Sequence, residues 1–296
     1  MIAKSLLPGI TMTAVLVAVP SGAAETGGPQ EPLVWNVAHV PEPPTVDGQA
    51  ESLWEKATAL TVTARKAFRP DRTRCVRLRA LYCRDAIYVL VQWPDPTRSD
   101  MRDPYVWNQS KQAYERTKKP DDQFALEFPL RGNFDVNMLA AGRNYTADVW
   151  HWKAGRGNPV GWVDDKLHVI STTPTPKAQE YKLGERAVVY ISRLMDAGTA
   201  AYREVPPPAA FRAETVDSYE PCEPTGSLAD VRGKGVHDGQ GWTLEMTRRV
   251  NTGHDDDVVL DRTKAIPCAV AILDDELYWE HYVSSPITLQ FSMEGR

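Results

Sequence analysis

Cysteine is scarce in this chain: four residues among 296, Cys75, Cys83, Cys222 and Cys268. No two of them form a C-x-x-C. The spacing therefore excludes zinc ribbons and the common iron–sulfur ligand runs, and the lack of C-x-x-C-H excludes a covalently attached c-type haem. The sequence also lacks a P-loop, a G-x-G-x-x-G and a G-x-S-x-G, so no motif points to nucleotide or acyl-transfer chemistry. No H-x-E or H-E-x-x-H spacing ties its six histidines together, which argues against a catalytic zinc site. A basic excess is missing as well. The formal net charge is −5, and with no stripe of lysine and arginine to neutralise phosphates, nucleic acid is not an expected partner. After the first twenty residues no apolar run is long enough to span a bilayer.

What is present begins with the N-terminus. Lys4 precedes an apolar stretch from Leu6 to Val19, followed by Ser21, Gly22, Ala23 and Ala24. That is the layout of a secretory signal peptide cleaved after Ala23 or Ala24, so residues 1–24 are expected to be removed and the protein exported, to the periplasm. Residues 25–34 read as a flexible lead. In an oxidising compartment the even cysteine count favours structural disulfides.

From residue 35 on, short alternating runs dominate. CVRLRALY and AIYVLVQW, separated by a turn at Cys83-Arg84-Asp85, form a hairpin pattern. DDQFALEFPL, ADVWHWKA, LHVIST, WTLEMTRRV, AIPCAVAILD and SSPITLQF repeat the period of two, with the β-branched and aromatic content of strands. A short helical piece carries Ala50, Leu53 and Trp54. Residues 172–230, rich in proline and glutamate, read as a long surface insertion with one short helix near 191–200. The expected fold is all-β: an antiparallel β-sandwich over 35–296 with few helices and no internal repeat.

Several residues invite a functional reading. Met138 lies in a polar, Gly-rich neighbourhood, where a thioether is either a gap-filling core residue or a soft ligand for iron. His281, just ahead of the closing strand, is either a hydrogen-bonded boundary residue or a ligand. The acidic runs Asp121-Asp122, Asp164-Asp165, Asp255–Asp257 and Asp274-Asp275 read as solvated turns, and the third lacks the D-x-D-x-D-G pattern of a calcium loop. Trp150, Trp152 and Trp162 either fill a core or stack on sugars.

The order of the segments is more specific than any one of them. TVDGQAESLWEKATAL, AIYVLVQWPDPT, DDQFALEFPL, ADVWHWKAG with GWVDDK, GKGVHDGQGWTLEMTRRV and AVAILDDELYWEHYVSSPITLQF together resemble the ethylbenzene dehydrogenase-type haem-binding domain, also described as the cytochrome c-552/DMSO reductase-like haem-binding domain. The similarity runs from about residue 34 to 291 and fits poorly over 172–230. It implies a β-sandwich around one non-covalent b-type haem. The chain would be the electron-transfer subunit of a periplasmic molybdenum oxidoreductase and not itself an enzyme. Its partners would be a molybdenum-containing catalytic subunit, an iron–sulfur subunit and a soluble cytochrome c. The family's axial methionine maps to Met138. Its second ligand, usually lysine, maps to His281, three residues before Ser284. Lys234, then Lys153 and His151, are the rival second ligands. Trp150 and Trp152 would line the pocket, and Arg143 and Lys153 would meet the propionates. Two other readings stay open: a secreted carbohydrate-binding module, and a haem-free adaptor subunit.

Overall fold

The computed structural model describes residues 33–66, 69–185, 187–274 and 281–292. The expected signal peptide and most of the lead lie outside the described residues. Fourteen strands form one continuous sheet. They are β1 (Leu33–His39), β2 (Leu60–Lys66), β3 (Thr73–Cys83), β4 (Ala86–Pro94), β5 (Gln123–Gly132), β6 (Tyr145–Lys153) and β7 (Asp164–Ser171), followed by β8 (Gln179–Leu183), β9 (Ala187–Met195), β10 (Arg232–His237), β11 (Gly241–Arg249), β12 (Ile266–Leu273), β13 (Tyr282–Val283) and β14 (Ile287–Phe291). Their order is β8-β9-β7-β6-β5-β12-β13-β2-β3-β4-β11-β10, and β1 and β14 pair beside that path.

The sheet folds over into two layers, because each strand's apolar face must leave water. One layer holds β5, β6, β7, β9 and β12; the other holds β2, β3, β4, β10 and β11. Aromatic rings bridge the gap. Trp93 of β4 stacks on Phe124 of β5 with centroids 5.8 Å apart, and Trp152 of β6 meets Trp242 of β11 edge-on at 4.9 Å. Trp35, Leu78, Phe128, Trp150 and Leu289 complete a fully buried core. Each such side chain contributes about 2–3 kcal/mol on burial.

The fold is the expected all-β sandwich, with three differences. First, β1 pairs in parallel with both β3 and β14, so the sheet is not purely antiparallel. Second, the stretch expected to form a helix near 191–200 is strand up to Met195, because Val189 and Ile191 alternate onto a buried face. With β8 it extends the main sheet, and the remainder of 172–230 forms short two- and three-residue strands. Third, the four cysteines are free thiols. Cys75 and Cys83 lie at different points of β3, Cys268 is in the core on β12, and Cys83 Sγ donates to the Pro41 carbonyl at 3.4 Å. No helix among the described residues is long and apolar enough to cross a membrane.

Two local devices explain motifs that alternation alone does not. Glu245 of β11, fully buried, accepts from the Asp47 and Gly48 amides at 2.9 and 2.8 Å and from Trp54 Nε1 at 2.7 Å. It thereby ties the VDG turn and the 3-10 helix Ser52–Lys56 to the sheet. Gly235 in GKG lies flat under Trp152; a Cβ there would come within 2.5 Å of the indole. Asn158 then clamps both, accepting from Trp152 Nε1 at 3.0 Å and the Gly235 amide at 2.7 Å.

Glu245→Ala strands three donors in a dry site. We expect a loss of about 3 kcal/mol in chemical denaturation at neutral pH. A loss below about 1 kcal/mol means water enters and the tie is not structural.

Candidate functional site

Strands β5, β6 and β7 are buried on both faces. Along β6, Trp150 and Trp152 point into the main core, so His151 and Lys153 point out the other way. Register extends that outer face. Ala271, Ala125, His151 and Asp164 form one row across β12, β5, β6 and β7. Ala269, Glu127, Val149 and Lys166 form the next, and Ala147, His168 and Arg193 the row after. Four alanines at neighbouring positions leave the floor low.

One end of this face is apolar. Tyr145, Val149, Ile170, Val189 and Ile191 form a second cluster, and Phe134, Met138 and Leu139 from the β5–β6 connection pack on it. That connection is held by asparagine and aspartate turns: Asp135 Oδ1 accepts from the Asn137 amide and Asn137 Oδ1 from the Leu139 amide, both at 3.0 Å. Tyr145 Oη donates to the Asp135 carbonyl at 2.8 Å. Met138 is thus fixed over the sheet by its neighbours on both sides.

The other end is polar and incompletely satisfied. His168 is 7% exposed, and neither ring nitrogen has a hydrogen-bond partner among the described residues. The same holds for His151 Nε2 and Glu127 Oε1. His168 Nδ1 lies 4.0 Å from Glu127 Oε1, too far for a hydrogen bond. Burial, with the charge of Lys166 nearby, holds both imidazoles well below the usual histidine range. Burial likewise pushes the Glu127 carboxyl up to about 8, against the pull of Arg193, and brings Lys166 down to about 7. His281 is half-buried and near enough to His168 to oppose its protonation. Buried polar atoms without partners are rare, and a row of them beside an apolar patch and a thioether suits a group that is part apolar and part ligand-seeking.

The residues singled out in the sequence divide between places. Met138, His151, Lys153 and His281 come to this outer face, and Arg143 lies in the Met138 connection, its Nε donating to Asp135 at 3.1 Å. Lys153 is already engaged, in an ion pair with Asp164 and a bond to Tyr202 Oη at 2.8 Å. Trp150 and Trp152 occupy the main core on the opposite side of the sheet. Lys234 is on β10 in the other layer, donating to the Asn158 carbonyl at 3.0 Å. Sequence reasoning passed over His168 and Glu127. The alternation of LHVIST and ALEF marks their face, but only the strand order sets them beside one another. The acidic runs are not all solvated turns: Asp121, Asp122, Asp164, Asp165 and Asp257 are buried.

The family model described as ethylbenzene dehydrogenase matches residues 51–283, a range that contains Met138, Glu127, His168 and His281. No curated protein sequence matches the chain significantly. Among solved structures, a protein of Bacteroides uniformis described as carbohydrate-binding aligns over 88% of this chain and 99% of its own, with TM-score 0.44 and 11% identity. A family 9 carbohydrate-binding module of Caldicellulosiruptor kristjanssonii, solved with glucose and with cellotriose, aligns with TM-score 0.38 in both cases. Its identities are 8% and 9%, over 89% and 88% of this chain and 98% and 95% of its own.

The outer face carries its own pH signature. Glu127 titrates higher in the folded chain than in the unfolded one. Its stabilising contribution is therefore complete below about pH 4 and lost as the pH rises through about 8. In protein without added cofactor, Glu127→Gln should gain on the parent as the pH climbs from 6 to 9, reaching on the order of 3 kcal/mol in denaturant titrations. A difference that stays constant with pH would show that Glu127 is solvated.

Proposed function

The chain belongs to the ethylbenzene dehydrogenase family, and from that premise we propose that it is an exported b-type haem subunit that carries electrons and performs no bond chemistry of its own. The observation that carries this reading is the convergence of Met138 and His281 on one sheet face. Met138 packs on the apolar cluster that holds Tyr145 and Ile170, and His281 lies near enough to His168, two residues before Ile170 on β7, to oppose its protonation.

The residues fit such a group. Met138, through its thioether, and His281, through its imidazole, would hold the iron. The alanine floor and the Phe134, Leu139 and Val149 side chains offer apolar area for a flat macrocycle. Arg143 stands in the connection that carries Met138, paired with Asp135. When bound, the haem would supply a one-electron couple, and two protein ligands to its iron would favour electron transfer over oxygen chemistry. The chain's own residues do the rest. The Asp135–Tyr145 bond holds Met138 in place. Burial keeps His151 and His168 neutral, so no cationic ring competes for the face. The partners in this reading are a molybdenum-containing subunit, an iron–sulfur subunit and a soluble cytochrome c.

A second reading, sugar binding, has one observation of its own. Trp107, Tyr114 and Phe211 form an aromatic group away from the core, with centroids 5.0 and 5.4 Å apart and Phe211 54% exposed.

The test is a reduced-minus-oxidised visible spectrum of protein expressed with ample haem, beside Met138→Ala and His281→Ala. We expect a sharp low-spin b-type spectrum in the parent, lost or turned high-spin in both variants. A normal spectrum in His281→Ala moves the second ligand to His168 or His151. A colourless parent that does not take up haem on reconstitution overturns the reading. Sugar binding abolished by Trp107→Ala would then support the alternative.

A further inference from the structure

Away from that face, at the opposite side of β6 and β7, the structure gathers more carboxylates than it neutralises. Arg248 of β11 is fully buried and reaches across the sandwich. Its Nη1 lies 2.6 Å from Asp148 Oδ2 and 2.9 Å from Asp257 Oδ1, and its Nη2 donates to the Val258 carbonyl at 2.6 Å. Asp165 Oδ2 is 3.9 Å from the same guanidinium. Asp196, just beyond β9, and Asp256 join on the far side: oxygens of Asp196, Asp256 and Asp257 lie within 4.8 Å of one another. Among the described residues, Asp148, Asp165, Asp196, Asp256 and Asp257 therefore have one buried cation, Arg248, with the His254 imidazole at the exposed rim.

The crowding alone would be a weak sign. The decisive observation is that several of these oxygens are buried without partners. Asp196 is 7% exposed and Asp165 fully buried, and neither oxygen of either accepts a hydrogen bond among the described residues. Arg248 already occupies the Asp148–Asp257 side, whereas on the Asp196–Asp256–Asp257 side both Asp196 oxygens and Asp257 Oδ2 lack partners among the described residues. Asp256 is held in position there, Oδ1 accepting from Ser227 Oγ at 2.8 Å and Oδ2 from the Ala197 amide at 3.3 Å. His254 stands at the exposed rim, its Nδ1 2.6 Å from Asp230 and 3.9 Å from Asp257 Oδ2. A surface cleft of about 480 Å³, lined in part by Ala197, Ser227, His254 and Asp256, opens beside the group and gives a way in.

We infer that Asp196, Asp256 and Asp257 bind a hard divalent cation, Ca²⁺, with Asp165 adding charge from behind. The donors are all oxygen, they are anionic, and they come from two segments about sixty residues apart, which suits the large and adaptable shell of calcium. Protonation of the carboxyls is the other way to relieve the repulsion, and it is distinguishable. The cation would bolt the β9 end to the loop after β11, joining the two layers where Arg248 already crosses.

The test uses the full chain as isolated, freed of metal with EGTA and titrated with Ca²⁺, with binding followed by equilibrium dialysis and stability by thermal unfolding. The variants are Asp196→Asn and Asp256→Asn. In the parent, saturating Ca²⁺ should raise Tm by roughly 5 °C. Both variants should lose one bound Ca²⁺ and most of that rise. Metal-free Asp196→Asn, relieved of one charge, should unfold no lower than the metal-free parent, which separates loss of binding from loss of folding. Terbium in place of calcium should show tryptophan-sensitised emission, because the Arg248 guanidinium touching this cluster also lies 4.9 Å from the Trp150 ring. A parent with no Ca²⁺-dependent rise, or a rise undiminished in both variants, overturns the inference.

Discussion

Side chains on a strand alternate, and β6 applies that rule with no solvent on either side. Trp150 and Trp152 must go one way and His151 and Lys153 the other. A slip of one residue in its pairing with β5 or β7 would exchange indoles for charges in the core, so the register is strongly specified. The same register lines up Ala125 with His151 and Ala147 with His168, creating the low floor and the row of imidazoles. The core and the candidate site are two faces of one pairing, and neither can be altered without the other.

Buried charge is handled in two ways in this molecule. Glu245 is fully answered: both oxygens have partners, and the result is a rigid tie between the N-terminal turn and the sheet. Around Asp196 and Asp165, and again around His168 and Glu127, polar atoms have no hydrogen-bond partner among the described residues. An unmet buried acceptor costs about 1–3 kcal/mol, more when charged, so such groups persist where something outside the chain meets them. That contrast within one fold separates structural polarity from sites. The unsatisfied atoms underlie both proposals, a haem on the outer face of β5–β7 and a hard cation near the end of β9.

Most strands were legible in the sequence because a period of two is a local property. ALEF, VWHW and HVIS state which residues share a face whatever the rest of the chain does. The segment 187–195 was misread because it lies within a stretch whose prolines read as one long surface insertion, although Val189 and Ile191 already alternate and Gly184 and Gly198 mark a turn on either side. The acidic runs were misread for a different reason: an Asp-Asp pair looks the same in a turn as it does at the end of a buried strand. The distinction lies in what packs above it.

The sequence by itself determined the strands, their apolar faces and the family. These follow from residue order and from spacing within single segments. The tertiary structure alone decided that His168 and Glu127 share the outer face with His151 and that Trp150, Trp152 and Lys234 do not. It alone decided that Asp196 meets Asp256 and Asp257. Such meetings depend on strand order and on which strands cross from one layer to the other, and no periodicity along the chain carries that information.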